Sequence, residues 1–298
     1  MSGGAARQSK LSFQPTAGAA GAPKPLRAVC GAPSPPPPPG RERGGAASSA
    51  KPREALDLLA VLKQNFGFDA FRGLQERAVR AALAGQDVFV LMPTGGGKSL
   101  CYCLPAMCSD QLVVVVSPLI ALMENQVESL RALGIRAEHL SSTRAASEKA
   151  AVYEDLQCTR PVTKLLYVTP ELIGTPAFVP VLRRLCRDGL IALVAVDEAH
   201  CISSWGHDFR PAYRKLARLR ELVPGVPLMA LTATAAPKVR SDIVSSLSME
   251  HAVVLQASYN RPNIRYEVRY VDTMSNQDAF PNLKALINSL ASEAGAGA

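Results

Sequence analysis

A short glycine-rich segment that ends in Lys98 and Ser99 carries the clearest chemical signal in this sequence. Residues 92–99 follow an apolar run that reads as a buried strand and precede a stretch that can open a helix. In such a turn glycine amides can point at phosphate oxygens, a lysine adds positive charge, and a serine hydroxyl can bind magnesium. Met92 stands where the general pattern has glycine, and a glycine-rich turn with an incidental lysine is the alternative. We predict a phosphate-binding loop with Mg²⁺.

Two adjacent carboxylates, Asp197 and Glu198, follow directly on the apolar run 191–196. Burying two acids at the end of a strand costs free energy unless a cation or a catalytic task accompanies them. In phosphate-loop enzymes the first acid holds magnesium, and the second can orient and deprotonate the attacking water. An acidic N-cap of the next helix is the alternative. Because Lys98 and Ser99 supply the other half of such a site, we predict catalytic roles for Lys98, Asp197 and Glu198.

The segment 201–211, called the aromatic loop below, contains the single tryptophan of the chain, a second aromatic ring and an arginine. Exposed rings beside arginine can stack on the bases of single-stranded nucleic acid. Trp205, Phe209 and Arg210, with His207 between them, are therefore candidate nucleic-acid contacts. From these residues alone, a core tryptophan with a local Arg–Asp pair is an equally good interpretation.

Apolar runs alternate with helical patterns along most of the chain. The runs are rich in valine and leucine, which is typical of strands covered on both faces. This alternation predicts an α/β fold with a central parallel sheet and helices on both faces. The predicted strands are 87–92, 112–117, 164–169, 191–197, 226–232 and 252–256. The predicted helices are 55–66, 74–83, 97–108, 119–133, 144–157, 177–187, 211–222 and 236–247.

The candidate residues follow predicted strands, and ligands of open parallel sheets bind at the carboxyl ends of the strands. Thr232 and Thr234 follow the strand 226–232, where their hydroxyls could hydrogen-bond the neighbouring acids or His200. This signal alone is weak, since serine and threonine are common as caps.

Composition divides the chain into three parts. Residues 1–50 are rich in Gly, Ala and Pro and hold six Lys/Arg against one Glu. We predict a disordered basic tail there, either solubilising or, alternatively, a nuclear address or nucleic-acid contact. Of the net charge of +8, this tail carries +5, so only +3 remains for the rest and bulk charge does not indicate a nucleic-acid partner. We predict one α/β domain over 51–258, and over 259–298 a linker, a strand at 264–271 and a helix at 283–290 that begin a second domain.

The cysteines and the apolar segments of the sequence indicate in which cellular compartment the protein works. The seven cysteines form no CxxC pair and no set at zinc spacing, and no secretion signal precedes them. This pattern indicates a reducing compartment. The longest apolar segment, 112–123, is too short to span a membrane, so we expect no membrane partner.

In their order along the chain, these motifs resemble those of RecQ-family DNA helicases, which are superfamily-two motors. The resemblance covers about residues 54–271, and Met92 is ordinary for that family. The Pro-Gly that many relatives carry between Arg72 and Gln75 is missing. Three features are similar to the plant Q-like 3 branch of the family: this missing Pro-Gly, the residues 203–205 and the residues 260–264. The motifs that carry the resemblance are 66–68 with Phe71, Arg72 and Gln75, then 92–99, 117–123, 167–171, 197–211 and 231–235.

The resemblance implies a RecA-like domain with ATP and Mg²⁺ as cofactors, and it implies a role for each matching residue. Glu198 would activate water, and the aromatic loop would sense single strands. The residues implied to hold ATP are Phe68, Arg72, Gln75, Thr94, Gly95, Gly96, Gly97, Lys98 and Ser99, with Ser99 and Asp197 on Mg²⁺. The residues implied to couple ATP to DNA are Ser117, Thr169, His200, Trp205, His207, Phe209, Arg210, Thr232 and Thr234.

The resemblance also implies 3′-to-5′ unwinding, single-stranded and branched DNA as partners, work in DNA repair and recombination, and the nucleus as location. The second motor domain of the family, with its arginine at the ATP site, and its zinc-binding region match no segment here. We therefore expect a fragment that binds ATP and DNA without unwinding. An RNA helicase with a similar Asp-Glu-Ala-His box and a catalytically idle DNA-binding adaptor are the alternatives, and the aromatic loop argues against the first.

Overall fold

The computed structural model describes residues 56–205, 208–258, Ile264 and 283–288. The chain divides into two compact units, Met1–Tyr259 and Asn260–Ala298. In the second unit, residues 283–288 are helical, within the predicted helix 283–290. The predicted tail 1–50 and, apart from Ile264, the predicted strand 264–271 lie outside the described residues.

The first unit is an α/β domain that follows the predicted alternation of strands and helices. Its described strands are β1 (Val88–Leu91), β2 (Leu112–Val116), β3 (Ala137–Leu140), β4 (Leu165–Val168), β5 (Ile191–Val196), β6 (Leu228–Thr232) and β7 (Val253–Gln256). Its described α-helices are α1 (Leu58–Phe66), α2 (Gln75–Leu83), α3 (Lys98–Met107), α4 (Ile120–Ala132), α5 (Ala146–Gln157), α6 (Pro170–Ile173), α7 (Val179–Arg187), α8 (Leu219–Leu222) and α9 (Pro237–Ser246). Two 3₁₀ segments span Ala199–Ile202 and Pro211–Arg218.

The strands form one parallel sheet in the order β3-β4-β2-β5-β6-β1-β7. Successive side chains of β1 enter opposite apolar clusters: Phe89 and Leu91 on one face, Val88 and Val90 on the other. Because helices cover both faces, the central strands need apolar residues at every position. The α/β fold with a central parallel sheet is therefore confirmed. Among the described residues, no helix combines the length and apolar character needed to cross a membrane.

Two parts of the sheet and its helices differ from the prediction. The strand β3 was not predicted, because Glu138 and His139 interrupt its apolar pattern and the strand lies at an edge of the sheet. The predicted helix 211–222 is instead a 3₁₀ segment followed by the short α8. In that 3₁₀ segment, the buried Tyr213 donates a hydrogen bond from its hydroxyl to the Asp197 carbonyl at 2.8 Å. Such a tertiary contact leaves no mark in local sequence periodicity.

Candidate nucleotide-binding and nucleic-acid site

The strand order places the candidate residues along one edge of the sheet. The strands β4, β2, β5, β6 and β1 lie side by side, and all of them run in the same direction. Their carboxyl ends therefore meet at a common edge, where open parallel sheets bind ligands. The segments that leave these five ends begin with Thr169, Ser117, Asp197, Ala233 and Met92, respectively.

The glycine segment forms a tight turn between β1 and α3. Gly95 and Gly97 have φ angles of +81° and +77°, in the left-handed region that favours glycine. A Cβ on Gly96 would lie 2.9 Å from the Pro93 carbonyl oxygen, so only glycine fits there without a shift. The helix α3 begins at Lys98, and the first N–H groups of a helix lack intrahelical partners and attract anions. These features fit a phosphate-binding loop.

The side chain of Gln75 connects this loop to the segment before α2. It is 3% exposed, and its Nε2 donates to the Gly97 carbonyl at 3.1 Å. Its Oε1 accepts from the Arg72 backbone N–H at 2.8 Å. Phe68 is half-buried and the Arg72 side chain is exposed. The structure thus brings Gln75 against the phosphate loop, a contact that fixes the conformation of the loop.

Asp197, at the carboxyl end of β5, is a buried carboxylate with 5% exposure. Burial, and next to it the charge of Glu198, raises the pKa of Asp197 to about 7, while the positive charge of Lys98 acts in the opposite direction. A buried acid whose charge is so unfavourable fits a cation site, and Mg²⁺ prefers carboxylate, hydroxyl and phosphate oxygens. Asp197 and Ser99, in the first turn of α3, are the residues that would hold Mg²⁺.

Glu198 adopts a backbone conformation that is uncommon for a residue with a side chain. Its φ is +49°, in the left-handed region. Such a conformation costs about 1–3 kcal/mol and is concentrated at functional sites. It leaves the carboxylate 28% exposed, with Oε2 3.3 Å from Nδ1 of His200. Glu198 therefore lies where water can reach it, next to the buried Asp197.

A hydrogen-bond chain joins His200 to the residues after β6. Nδ1 of His200 lies 3.0 Å from Oγ1 of Thr232. That hydroxyl donates to the Thr234 carbonyl at 3.0 Å and accepts from the Thr234 N–H at 3.2 Å. When the hydroxyl proton is directed at that carbonyl, the matching tautomer of His200 is the one in which Nδ1 donates to Thr232. In a neutral imidazole the lone pair is then on Nε2.

Trp205 lies on the surface, with 66% of its area exposed, which excludes a core role. Nζ of Lys238 lies 3.1 Å from the centre of its ring, a cation–π contact. Phe209 is half-buried, with the Arg214 guanidinium 4.9 Å from its ring centre. His207 lies outside the described residues.

Arg210 fixes the aromatic loop against the end of β2. Its Nη1 donates to the Pro118 carbonyl at 3.0 Å, and its Nε and Nη2 donate to Oδ2 of Asp208 at 3.3 and 3.1 Å. Ser117 is 2% exposed, and its hydroxyl has no partner among the described residues, so it does not reach the surface. Thr169 is half-buried after β4.

Three residues outside the sequence motifs also hold the site. Two of them are Tyr213 and Lys238, whose contacts are described above. The third is Asp242 on α9, which accepts from the Ser203 hydroxyl at 2.7 Å. Ser203 in turn accepts from the Trp205 N–H at 3.2 Å. The two ends of the Ser203–Asp242 contact are 39 residues apart, so no local pattern in the sequence could have indicated it.

The comparisons with known proteins agree with this geometry. The model of the family described as "DEAD/DEAH box helicase" matches residues 72–243. The chain belongs to this family.

Its curated relatives show that this domain is of the RecQ type. The chain is 46% identical over 218 residues to the ATP-dependent DNA helicase hus2/rqh1 of Schizosaccharomyces pombe, which covers 72% of this chain and 16% of the relative. It is 46% identical over 208 residues to the ATP-dependent DNA helicase RecQ of Haemophilus influenzae, and the match covers 70% of this chain and 33% of the relative. The chain is 44% identical over 229 residues to ATP-dependent DNA helicase Q1 of Rattus norvegicus, and the match covers 76% of this chain and 37% of the relative. The chain thus spans only a minor part of these relatives.

Solved structures add support for the fold. The DUF1998 helicase MrfA bound to DNA superposes with a TM-score of 0.54 at 16% identity, over 70% of this chain and 30% of that one. At this identity the likeness shows the fold alone.

Proposed function

We propose that this chain is the ATP-binding motor domain of a 3′-to-5′ DNA helicase that works in DNA repair and recombination. In this proposal, Lys98 and the glycine turn hold the phosphates of ATP, while Asp197 and Ser99 hold Mg²⁺. Glu198 orients and deprotonates the attacking water. When bound, Mg²⁺ supplies charge that stabilises the transferred phosphoryl group. Phe68, Arg72 and Gln75 hold adenine, and Thr94 borders the phosphates.

The observation that carries the proposal is the direct connection between the nucleotide residues and the aromatic loop. Glu198 contacts His200, which is hydrogen-bonded to Thr232. Tyr213, two residues after the aromatic loop, donates to the Asp197 carbonyl. Ser203 donates its N–H to the His200 carbonyl at 3.2 Å, and its hydroxyl accepts from the Trp205 N–H at 3.2 Å. A change at the phosphates can therefore reach the exposed Trp205 through hydrogen-bonded groups. In the proposal, Thr169 contributes to the DNA path from the end of β4, whereas the Ser117 side chain, buried at the end of β2, does not contact DNA.

The experiment measures ATP turnover by the 298-residue chain with single-stranded DNA and with RNA of the same sequence. We expect stimulation by DNA and a loss of about 100-fold or more in turnover for Lys98→Ala, as for other preorganised charge donors. Lys164→Ala, directly before β4 and so at the opposite edge of the sheet from the site, is the matched control. Greater stimulation by RNA would favour an RNA helicase, and no turnover with either nucleic acid, even when a second motor domain is supplied, would favour an idle adaptor. Unchanged nucleotide affinity and turnover in Lys98→Ala would refute the phosphate-loop assignment.

We further propose that residues 51–258 alone bind ATP and DNA without separating strands. The relatives that the chain matches are about three to six times longer than the matched part. A missing arginine on the far side of the phosphates costs roughly a thousandfold or more in rate. ATP-dependent separation of a 3′-tailed duplex by the purified chain would contradict this proposal. Similarity to the plant Q-like 3 branch and a nuclear location remain part of the proposal, based on the sequence.

A further inference from the structure

We propose that His200, Cys201 and Asp208 form a zinc-binding site that fixes the aromatic loop to the end of β5. One potential ligand atom from each residue lies within 4.8 Å of the other two. The site itself depends only on these atoms, whereas its effect on turnover rests on the proposed function.

The distances between the ligand atoms suit tetrahedral zinc. Sγ of Cys201 lies 3.8 Å from Nε2 of His200 and 3.8 Å from Oδ2 of Asp208. With zinc bonds of about 2.3 Å to sulfur and about 2.0–2.1 Å to nitrogen or oxygen, tetrahedral angles give separations of about 3.6 Å. The two separations from sulfur need a contraction of about 0.2 Å. The ligand atoms of His200 and Asp208 lie within 4.8 Å of each other and would have to approach to about 3.3 Å. The Asp208 side chain, which is 47% exposed, is the ligand with the freedom to move. Three protein ligands leave the fourth position of zinc to water.

The hydrogen bonds of His200 already select the ring form that zinc requires. In the tautomer in which Nδ1 donates to Thr232, beside the Glu198 carboxylate, Nε2 is the ligand atom, and it lies 3.8 Å from Sγ of Cys201. Metal-bound histidines usually donate their other N–H to a carboxylate, a carbonyl or a similar acceptor, which orients the ring. Thr232 and Glu198 supply this support in the absence of any metal.

The charges around the site set the conditions for binding. Oδ2 of Asp208 now accepts from Arg210, so zinc must share this carboxylate or displace the guanidinium from it. Arg210 keeps its separate bond to the Pro118 carbonyl. Zinc binds thiolate, so coordination releases the Cys201 thiol proton to solvent. The mixed set of nitrogen, sulfur and oxygen favours zinc over magnesium, which prefers oxygen ligands alone.

Zinc at this position would connect the residues at the nucleotide site to the aromatic loop. His200 belongs to the chain of hydrogen bonds that reaches Glu198, whereas Asp208 belongs to the aromatic loop. A metal bond between them would prevent the loop from moving relative to β5. We therefore expect zinc to suppress the DNA stimulation of ATP turnover.

The test uses the full chain and cobalt(II), whose absorption reports tetrahedral geometry and cysteine thiolate ligation. Titration in excess magnesium should give both signals at about one cobalt per chain, and zinc should abolish them. Cys201→Ser should remove the thiolate signal and weaken affinity at least about 100-fold, since even an outer-shell partner costs about 10–100-fold. Asp208→Asn, at a position whose side chain is 47% exposed, should weaken affinity but keep the thiolate signal. Cys186→Ser, on α7, is the matched control and should behave as the parent chain.

Three results would overturn the proposal. One is the absence of a thiolate signal at saturating cobalt in the parent chain. Another is the same signal and affinity in both Cys201→Ser and Asp208→Asn. The third is loss of the signal in Cys186→Ser with retention in Cys201→Ser. Circular dichroism of each variant checks that the fold is intact. Zinc should lower DNA-stimulated turnover in the parent chain and in Cys186→Ser, and it should have no effect in variants that lose metal binding.

Discussion

Replacing Asp197 by asparagine should make the metal-free domain more stable while abolishing magnesium-dependent turnover. Asparagine keeps the size of the side chain and the Oδ1 atom that accepts from the Glu198 N–H at 3.0 Å. The substitution removes the negative charge of Asp197, which is unfavourable because the residue is only 5% exposed. The expected gain in the free energy of unfolding follows from the pKa of Asp197, which burial raises from 3.8 to about 7.

The sign of the effect is fixed by which state binds the proton. Between pH 4 and pH 7, roughly, folded Asp197 is protonated while the unfolded residue is ionised. The free energy of unfolding therefore falls as pH rises through this window and levels off above it. At about 1.36 kcal/mol per pKa unit, the full cost is on the order of 4 kcal/mol. For a domain of this size that corresponds to a difference in melting temperature on the order of 10 °C.

Thermal unfolding of the parent chain and Asp197→Asn should be compared from about pH 5 to about pH 8 in the presence of a chelator. We expect the difference in melting temperature to be largest at the alkaline end and to shrink to less than half near pH 5. Asp110→Asn, at a fully exposed position, is the matched control and should show no such difference. A gap between parent and Asp197→Asn that does not change with pH would refute the reasoning. Magnesium with ATP should stabilise the parent chain and not the variant.

Two further predictions concern catalysis and DNA coupling. Glu198→Gln should still bind magnesium and ATP but stop hydrolysis when a second motor domain is supplied, because the amide cannot accept the proton; hydrolysis at the original rate in a phosphate-release assay would assign the base to another group. Trp205→Ala should weaken DNA stimulation of turnover more than ATP affinity, because base stacking is worth about 1–3 kcal/mol. Its melting temperature should stay close to that of the parent, since the ring is 66% exposed; a lowered melting temperature with intact DNA stimulation would contradict the assignment.

The sequence predicted most of the sheet because its buried strands have a simple cause. A strand covered on both faces needs apolar residues at each position, and β1, β2 and β4 are fully buried along their lengths. The edge strand β3 escaped prediction because partial exposure allows Glu138, which pairs with Arg131 and Arg144 at 2.5 and 2.7 Å. Strand prediction from apolar runs therefore succeeds in the centre of this sheet and at the edge strand β7, and fails at the edge strand β3.

The candidate site was predictable where neighbouring residues form a motif and not where distant residues meet. The glycine turn and the acidic pair are contiguous, so their chemistry is visible in the sequence. The Lys238 ammonium over the Trp205 ring joins residues that are distant along the chain. The sequence also left a surface and a core interpretation of Trp205 equally open, which only the exposure in the folded domain resolves. The cluster of His200, Cys201 and Asp208 lacks the usual spacing of zinc ligands and was missed for that reason.

The bond between His200 and Thr232 crosses 32 residues of sequence but only one step of the sheet, from β5 to β6. Its geometry is set by the register of two neighbouring strands rather than by the length of the chain between them. Exposed residues of the intervening segment, such as Ser204 and Trp205, are therefore open to replacement without disturbing the link. If the aromatic loop contacts DNA as proposed, its exposed residues can change, in evolution or in the laboratory, while the hydrogen bond between His200 and Thr232 is retained.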